Sequence, residues 1–398
     1  MSTPPKSPIH RRVDDLAETT RQPIRFDPLL LLAVVGLIIC SLVTLASATE
    51  DDIPGSPHYY VFRQGMYAAV GLVLMVVLTR LDYSRLRELK YGLYGAMLGL
   101  ILLVIAVGTT ARGSRRSFDL FLLSFQPSEL GKLLLVLALS AFVVDRVRRL
   151  RDRDTTARSM LIALVPAMLV MLQPDLGTSL VYVVVALAVL FVAGTSWRHF
   201  AALAAIGAVG IAFTLVAAPA AGVQVLKPYQ VDRLTAFLNP SGDPADQGYQ
   251  QNQSRIAIGA GQKTGRGDQA TQTRLNFLPE HHTDFIFAVI GEEYGFLGAS
   301  IVLSLFALLI WRVLRILTMA KNLYGALIAG GIVAMLMFQV FVNIGMTIGI
   351  MPITGVPLPL LSYGGSSVIV TLMAVGILQS IHVQSRIANA TKGRVFTF

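Results

Sequence analysis

The sequence predicts an all-helical polytopic membrane protein with about ten transmembrane helices and one long extracytoplasmic loop between spans 7 and 8. Three observations predict this. Of 398 residues, 54% are hydrophobic and only 14% are charged, where a soluble domain carries roughly a quarter charged residues. Mean hydropathy is +0.64. The basic residues gather in short loops between apolar runs, as the positive-inside rule requires. That clustering also disposes of nucleic acid as the reason for 33 Lys and Arg against 23 Asp and Glu. The one cysteine, Cys40, lies in an apolar run, so no intramolecular disulfide forms.

Residues 1–27 are polar and basic with no apolar signal core, and read as a disordered cytoplasmic tail. A span needs about 20 mostly apolar residues. Residues 29–48 supply the first, followed by the acidic loop 50–57. Residues 61–79 and 91–108 flank an inner loop, 80–90, with four basic residues. The polar segment 109–129 leads into the span 130–144. Loop 145–159 holds six arginines and is the strongest inside marker. Residues 160–172 are apolar but short. If they re-entered instead of crossing, Arg312, Arg315 and Lys321 would fall outside, which argues for a crossing. Residues 179–194 and 200–223 follow, joined by the basic turn 196–199.

Residues 224–283 form a long polar loop, a length that implies a structured or functional element. Residues 251–261 within it suit a short interfacial helix. Residues 285–311, 323–342 and 367–381 complete ten spans in a membrane domain over 28–385. The basic tail 386–398 is expected to be cytoplasmic, like the N-terminus. The segment 349–367 is too rich in Pro and Gly for a regular span.

On this topology the polar motifs converge at the outer face: Gln126–Glu129, Gln173–Thr178, His281–Asp284 and Pro357–Gly365. Asp284 sits where the outer loop meets the bilayer, suited to a carboxylate that reaches a headgroup substrate. Thr283 or Asp284 capping a helix is the plainer reading. Glu129 and Lys132 are three apart and can pair on one helix face. Alternatively Lys132 binds phosphate as a point charge. Asp175, between Pro174 and Gly177, suits a turn or N-cap. Arg112, Arg115 and Arg116 are basic outside, against the topology rule, and suggest an anionic partner or snorkelling. His281 and His282 invite a metal reading with Asp284, but adjacent histidines lack firm ligand spacing. No firmly bound cofactor is expected; a loosely held divalent cation, Mg²⁺ or Mn²⁺, fits a pyrophosphate substrate better. Gly364 and Gly365 before Ser366 suit a phosphate-cradling turn or, for the serine, a cap. Glu292 and Glu293 lie deeper and point about 100° apart on a helix. A carboxylate buried there needs a cation or a proton, and Lys132 is one candidate.

Together these strings resemble one family. FQPSELGK (125–132), LQPDLGT (172–178), QSRIAIGAG (253–261), FLPEHHTDFIFAVIGEE (277–293) and NIGMTIGIMPITGVPLPLLSYGGSS (343–367) match in order and spacing the SEDS proteins of shape, elongation, division and sporulation. The short tails resemble the RodA branch more than FtsW. The resemblance implies a ten-span peptidoglycan glycosyltransferase of the bacterial cytoplasmic membrane. The same resemblance implies polymerisation of lipid II at the outer face beside a class B penicillin-binding protein. The family's essential aspartate falls at Asp284. Candidate substrate-binding residues are Arg116, Glu129, Lys132, Asp175, Glu280, His282, Thr283, Ser362, Gly364, Gly365 and Ser366. Many members have Arg-Trp before QPSE, where this chain has Arg116-Ser117. A lipid II flippase is the rival reading, since Lys132, Glu292, Glu293 and the broken segments suit a transport path. A scaffold for a wall synthase is a third.

Overall fold

The computed structural model describes residues 26–220, 237 and 247–395, apart from 51, 54, 112–113, 121–122 and 275–276. Its helices are α1 (Pro28–Ala48), α2 (Tyr59–Arg80), α3 (Lys90–Val107), α4 (Pro127–Val144), α5 (Arg153–Leu172), α6 (Leu176–Val192) and α7 (Trp197–Ala220). They continue with α8 (Gln247–Ala260), α9 (Thr271–Arg274), α10 (Ile286–Met319), α11 (Leu323–Ile348) and α12 (Gly365–Val395). Among the described residues nine helices are long and apolar enough to cross a membrane. The tenth, α6, has 17 residues, about 26 Å of helix, close to the thickness of a thin bilayer core. Each of the ten expected apolar runs is therefore a helix.

The short run 160–172 belongs to a 20-residue helix, because α5 starts back in the arginine-rich loop at Arg153. Its length fits a crossing, not a re-entrant turn. Helices α4, α11 and α12 form the buried centre, while α7 buries no residue from Trp197 to Ala217 inside the chain. That helix carries Trp197, Ile206 and Val216 outward, and one turn at Phe213–Ala217 has π-helical winding.

The fold is nearly all helix, as expected; two details are added and one boundary is corrected. The all-helical reading misses a three-stranded antiparallel sheet in the segment 109–129: β1 (Thr109–Ala111), β2 (Ser114–Leu120) and β3 (Leu123–Phe125). The tail drawn at 386–398 is helical to Val395, because α12 runs on past the last span. Asp27, drawn as the end of a disordered tail, is fully buried. It caps α1 by accepting from Leu29 N and Leu30 N and pairs with Arg312 of α10. The rest of the tail up to residue 25, residues 224–236 and 238–246 of the long loop and Arg112 lie outside the described residues.

The Asp27–Arg312 pair closes the end of the bundle opposite the polar motifs. Gln379 of α12 accepts from Asp27 N at 2.8 Å. At the same end Arg87 and Lys90 hold Asp145, and Tyr83 reaches Asn322. Arg312→Ala leaves a carboxylate with no solvent around it. It is expected to cost on the order of 3 kcal/mol and to lower the melting midpoint in detergent. Adding Asp27→Asn to that variant should restore part of the loss. Unchanged melting of the single variant would show that the pair contributes nothing.

Candidate active site

Asp284 lies two residues before α10, on a tight turn that three neighbours fasten by its backbone. Tyr363 N donates to His282 O at 2.9 Å, Ser362 Oγ to Thr283 O at 2.6 Å, and Asn343 Nδ2 to Asp284 O at 2.9 Å. Three consecutive carbonyls are thus held from α11 and from the Pro/Gly segment 349–364. The same Asn343 amide bonds Val356 O at 2.9 Å, and Ser362 Oγ accepts from Leu358 N at 2.8 Å. Each clamp also fixes the Pro/Gly segment, so the two loops position one another. Asp284 itself is half-buried. Its Oδ2 would lie 3.6 Å from a Cβ at Gly355, whose φ is 71°.

The capping alternative is overturned. The N-cap of α10 falls on Phe285, which offers no acceptor, so neither Thr283 nor Asp284 occupies the cap. Thr283 Oγ1 instead donates to Glu280 Oε2 at 2.9 Å. Glu280 has φ 60°, a left-handed conformation that non-glycine residues hold only where surroundings enforce it. His282 packs at a tilt against Tyr60, ring centroids 4.7 Å apart, and meets Tyr363 edge-on.

The outer motifs do converge, through Gln126. Its N–H donates to Ser366 Oγ at 2.7 Å, and its side-chain amide donates to Ser128 Oγ and to Asp175 Oδ2 at 3.2 Å. Ser366 Oγ in turn donates to Ser124 O of β3. Asp175 caps α6 by accepting from Thr178 N at 3.0 Å, the turn role its neighbours suggested. Arg116 on β2 donates to Gln173 O at 2.9 Å and to Pro174 O, so its guanidinium joins the sheet to the Gln173–Thr178 turn. Gly364 N faces Gln64 Oε1 at 3.4 Å, and a Cβ at Gly365 would meet the Tyr67 ring at 3.0 Å. Close approach of that ring accounts for the glycine. Arg115 belongs to β2.

Glu129 and Lys132 pair at 2.7 Å, both buried in α4. Lys132 is therefore not the partner of Glu292, as its charge alone suggested. Glu292, 0% exposed, accepts from Gln272 N at 2.9 Å, Thr273 N at 3.1 Å and Thr273 Oγ1 at 2.8 Å. Backbone amides opening α9 meet this carboxylate, so it needs no cation. Glu293 is buried beside it. The metal reading is also corrected. Among the described residues the acid that joins His281 and His282 is Asp52, from the acidic loop after α1, and not Asp284.

Residues that sequence reasoning passed over include Gln64, Gln126, Asn343 and Asp52. Gln126 and Asn343 lay inside quoted motifs, and a polar amide at membrane depth is itself a signal. Asp52 gave only an acidic loop.

The model of the cell cycle protein family of FtsW, RodA and SpoVE matches residues 25–387. The chain belongs to this family. It is 39% identical over 366 residues to peptidoglycan glycosyltransferase MrdB of Escherichia coli K12, covering 91% of this chain and 95% of that one. Stage V sporulation protein E of Bacillus subtilis 168 is 37% identical over 361 residues, with 90% and 95% covered. Among solved structures, Thermus thermophilus RodA matches with a TM-score of 0.65 and 33% identity, over 90% of this chain and 96% of that one. A chain from a peptidoglycan synthase complex that coordinates polymerization and crosslinking matches with a TM-score of 0.76 and 36% identity, over 90% and 97%. The two loops that clamp Asp284 both lie within the matched span of this SEDS family.

Proposed function

We propose that this SEDS protein is a peptidoglycan glycosyltransferase that polymerises lipid II at the outer face of a bacterial cytoplasmic membrane, with Asp284 as general base. The observation that carries the reading is the half-buried Asp284 carboxylate on a turn whose three carbonyls are clamped. The names of the relatives support the activity.

In the reaction, the 4-hydroxyl of one sugar attacks the anomeric carbon of another. A sugar hydroxyl is a weak nucleophile at neutral pH. A carboxylate within hydrogen-bond reach takes its proton as the new C–O bond forms. The bond from the anomeric carbon to the pyrophosphate oxygen breaks, and polyprenyl diphosphate leaves. A single displacement inverts that carbon, so one catalytic carboxylate suffices. The leaving group carries its charge without a strong acid; a loosely held Mg²⁺ or Mn²⁺ travelling with the substrate would offset it. Rigid support matters because misplacement by about 1 Å can cost on the order of 100-fold in rate. We assign that support to Ser362 and Asn343 directly. Arg116, Asp175, Gly364, Gly365 and Ser366 act behind them, with Glu129 and Lys132 stiffening α4.

The elongation branch is favoured by the likeness to RodA structures. A class B penicillin-binding protein partner is favoured by the likeness to a complex that couples polymerization and crosslinking. Basic loops favour a topology with both termini in the cytoplasm. A flippase would need polar groups along a path through the midplane. The buried Glu129–Lys132 pair and the amide-bound Glu292 are instead satisfied within the protein.

The test is polymerisation of purified lipid II by the full chain in detergent micelles, with and without its cognate transpeptidase. Micelles have no second compartment, so a transporter gives no product there. Glycan polymer supports the transferase; none under either condition overturns it.

A further inference from the structure

We propose that Asp52, His281 and His282 bind a divalent transition-metal ion of the Zn²⁺ class, tying the loop after α1 to the turn that carries Asp284. This does not rest on the transferase reading, and its readout is metal uptake. Asp52 Oδ2 lies 3.2 Å from His281 Nε2 and 3.9 Å from His282 Nδ1. One ligand atom from each of the three lies within 4.8 Å of the others. Ligands about 2.1 Å from a tetrahedral ion sit about 3.4 Å apart, so small side-chain shifts admit one.

His281 decides between an ion and plain packing. It is 3% exposed, and its Nδ1 meets Leu278 O at 3.2 Å. A carbonyl only accepts, so Nδ1 carries the proton. In the neutral ring Nε2 is then an unprotonated acceptor 3.2 Å from a carboxylate oxygen and out of line with it, two acceptors in close approach. Something positive belongs between them. A second ring proton would answer by a hydrogen bond to Asp52, yet buried Nε2 makes no hydrogen bond. A metal ion off the N–O line relieves the same repulsion and needs no such alignment. A histidine whose other nitrogen donates to a backbone carbonyl is also the usual arrangement behind a metal ligand. The Tyr60 ring, packed at a tilt with its centroid 4.7 Å away, helps hold the His282 ring in place.

The donor set selects the ion. Two imidazoles and one carboxylate suit Zn²⁺ and its first-row neighbours, whereas Mg²⁺ prefers oxygen ligands and retains its waters. Three protein ligands leave at least one position for water. The site is thus separate from any cation carried by a pyrophosphate. It joins two outer loops far apart in sequence, and His282 is two residues from Asp284.

The experiment uses the untagged full chain in detergent, stripped by chelator, then titrated with Co²⁺ and Zn²⁺ alone. The expected result is one equivalent bound, a visible Co²⁺ spectrum of low coordination number, displacement by Zn²⁺, and a higher melting midpoint. Losing a group that only supports a ligand costs about 10–100-fold in metal affinity. His281→Ala and Asp52→Asn are therefore expected to weaken binding by more than about 100-fold and to lose the spectrum. Asp52→Asn is nearly isosteric, so it serves if the histidine variant misfolds. A wild-type chain that shows no such Co²⁺ spectrum at one equivalent, or binds no tighter than Asp52→Asn, overturns the proposal.

Discussion

Asp284→Ala and Asp284→Asn are expected to purify as folded protein and to leave lipid II unpolymerised. Both remove the proton acceptor while keeping what holds the turn, because the clamps engage backbone carbonyls of 282, 283 and 284 and not the carboxylate. General-base assistance contributes about 100- to 10,000-fold, so the residual rate should fall by at least that factor. The asparagine variant is the sharper probe, since it keeps shape and polarity and loses only basicity. The melting midpoint should match that of wild type. Polymerisation by well-folded Asp284→Asn at a rate near wild type would remove the base from this residue. Ser362→Ala should act differently. It loses the bond to Thr283 O and the acceptor for Leu358 N, so the turn loosens and a slower but measurable rate persists.

Gly295→Ala is expected to break the seat of the outer loop. Gly295 interrupts α10 with φ 61° and ψ −156°, a region that is essentially glycine-only. A Cβ there would stand 2.4 Å from Gly265 N and 2.7 Å from Gly261 O. The interruption frees α10 backbone groups that the loop then satisfies: Arg266 N donates to Glu292 O at 2.8 Å, Phe296 N to Gln262 O at 2.9 Å, and Leu297 N to Lys263 O at 3.1 Å. The variant meets strain of about 1–3 kcal/mol. Expelling the loop also forfeits those bonds at about 1 kcal/mol each. The measurement is limited proteolysis across residues 261–266 together with the melting midpoint. Faster cleavage and a lower midpoint are expected. Gly259→Ala, whose added Cβ meets nothing within 4 Å, is the matched control and should behave like wild type. Equal protection of both variants would show that the loop's seat does not need the glycine kink.

Much of this protein was legible in its sequence because a bilayer imposes a simple rule. Backbone polar groups in hydrocarbon must be bonded within the segment, so long apolar runs become helices and basic loops set their direction. Asp284 was legible as a candidate for a related reason, since a carboxylate beside an apolar run is costly and its default reading is functional. The strands of 109–129 were not, because strands of three to seven residues give too short a pattern to read.

The sequence by itself determined the ten apolar helices, the long loop and the clustering of polar motifs at one end, and it allowed the Glu129–Lys132 pair as one alternative. The first three follow from composition along the chain, and the pair is allowed by i, i+3 geometry on one helix. Only the tertiary structure decided who partners whom across distance. It gave Glu292 the amides of Gln272 and Thr273, and gave Arg116 the carbonyls of Gln173 and Pro174. It also brought Asp52 to His281 across more than two hundred residues. Charge alone predicts that a buried acid seeks a cation. Packing brings backbone donors closer, and in a low-dielectric interior the nearest well-aligned dipoles win.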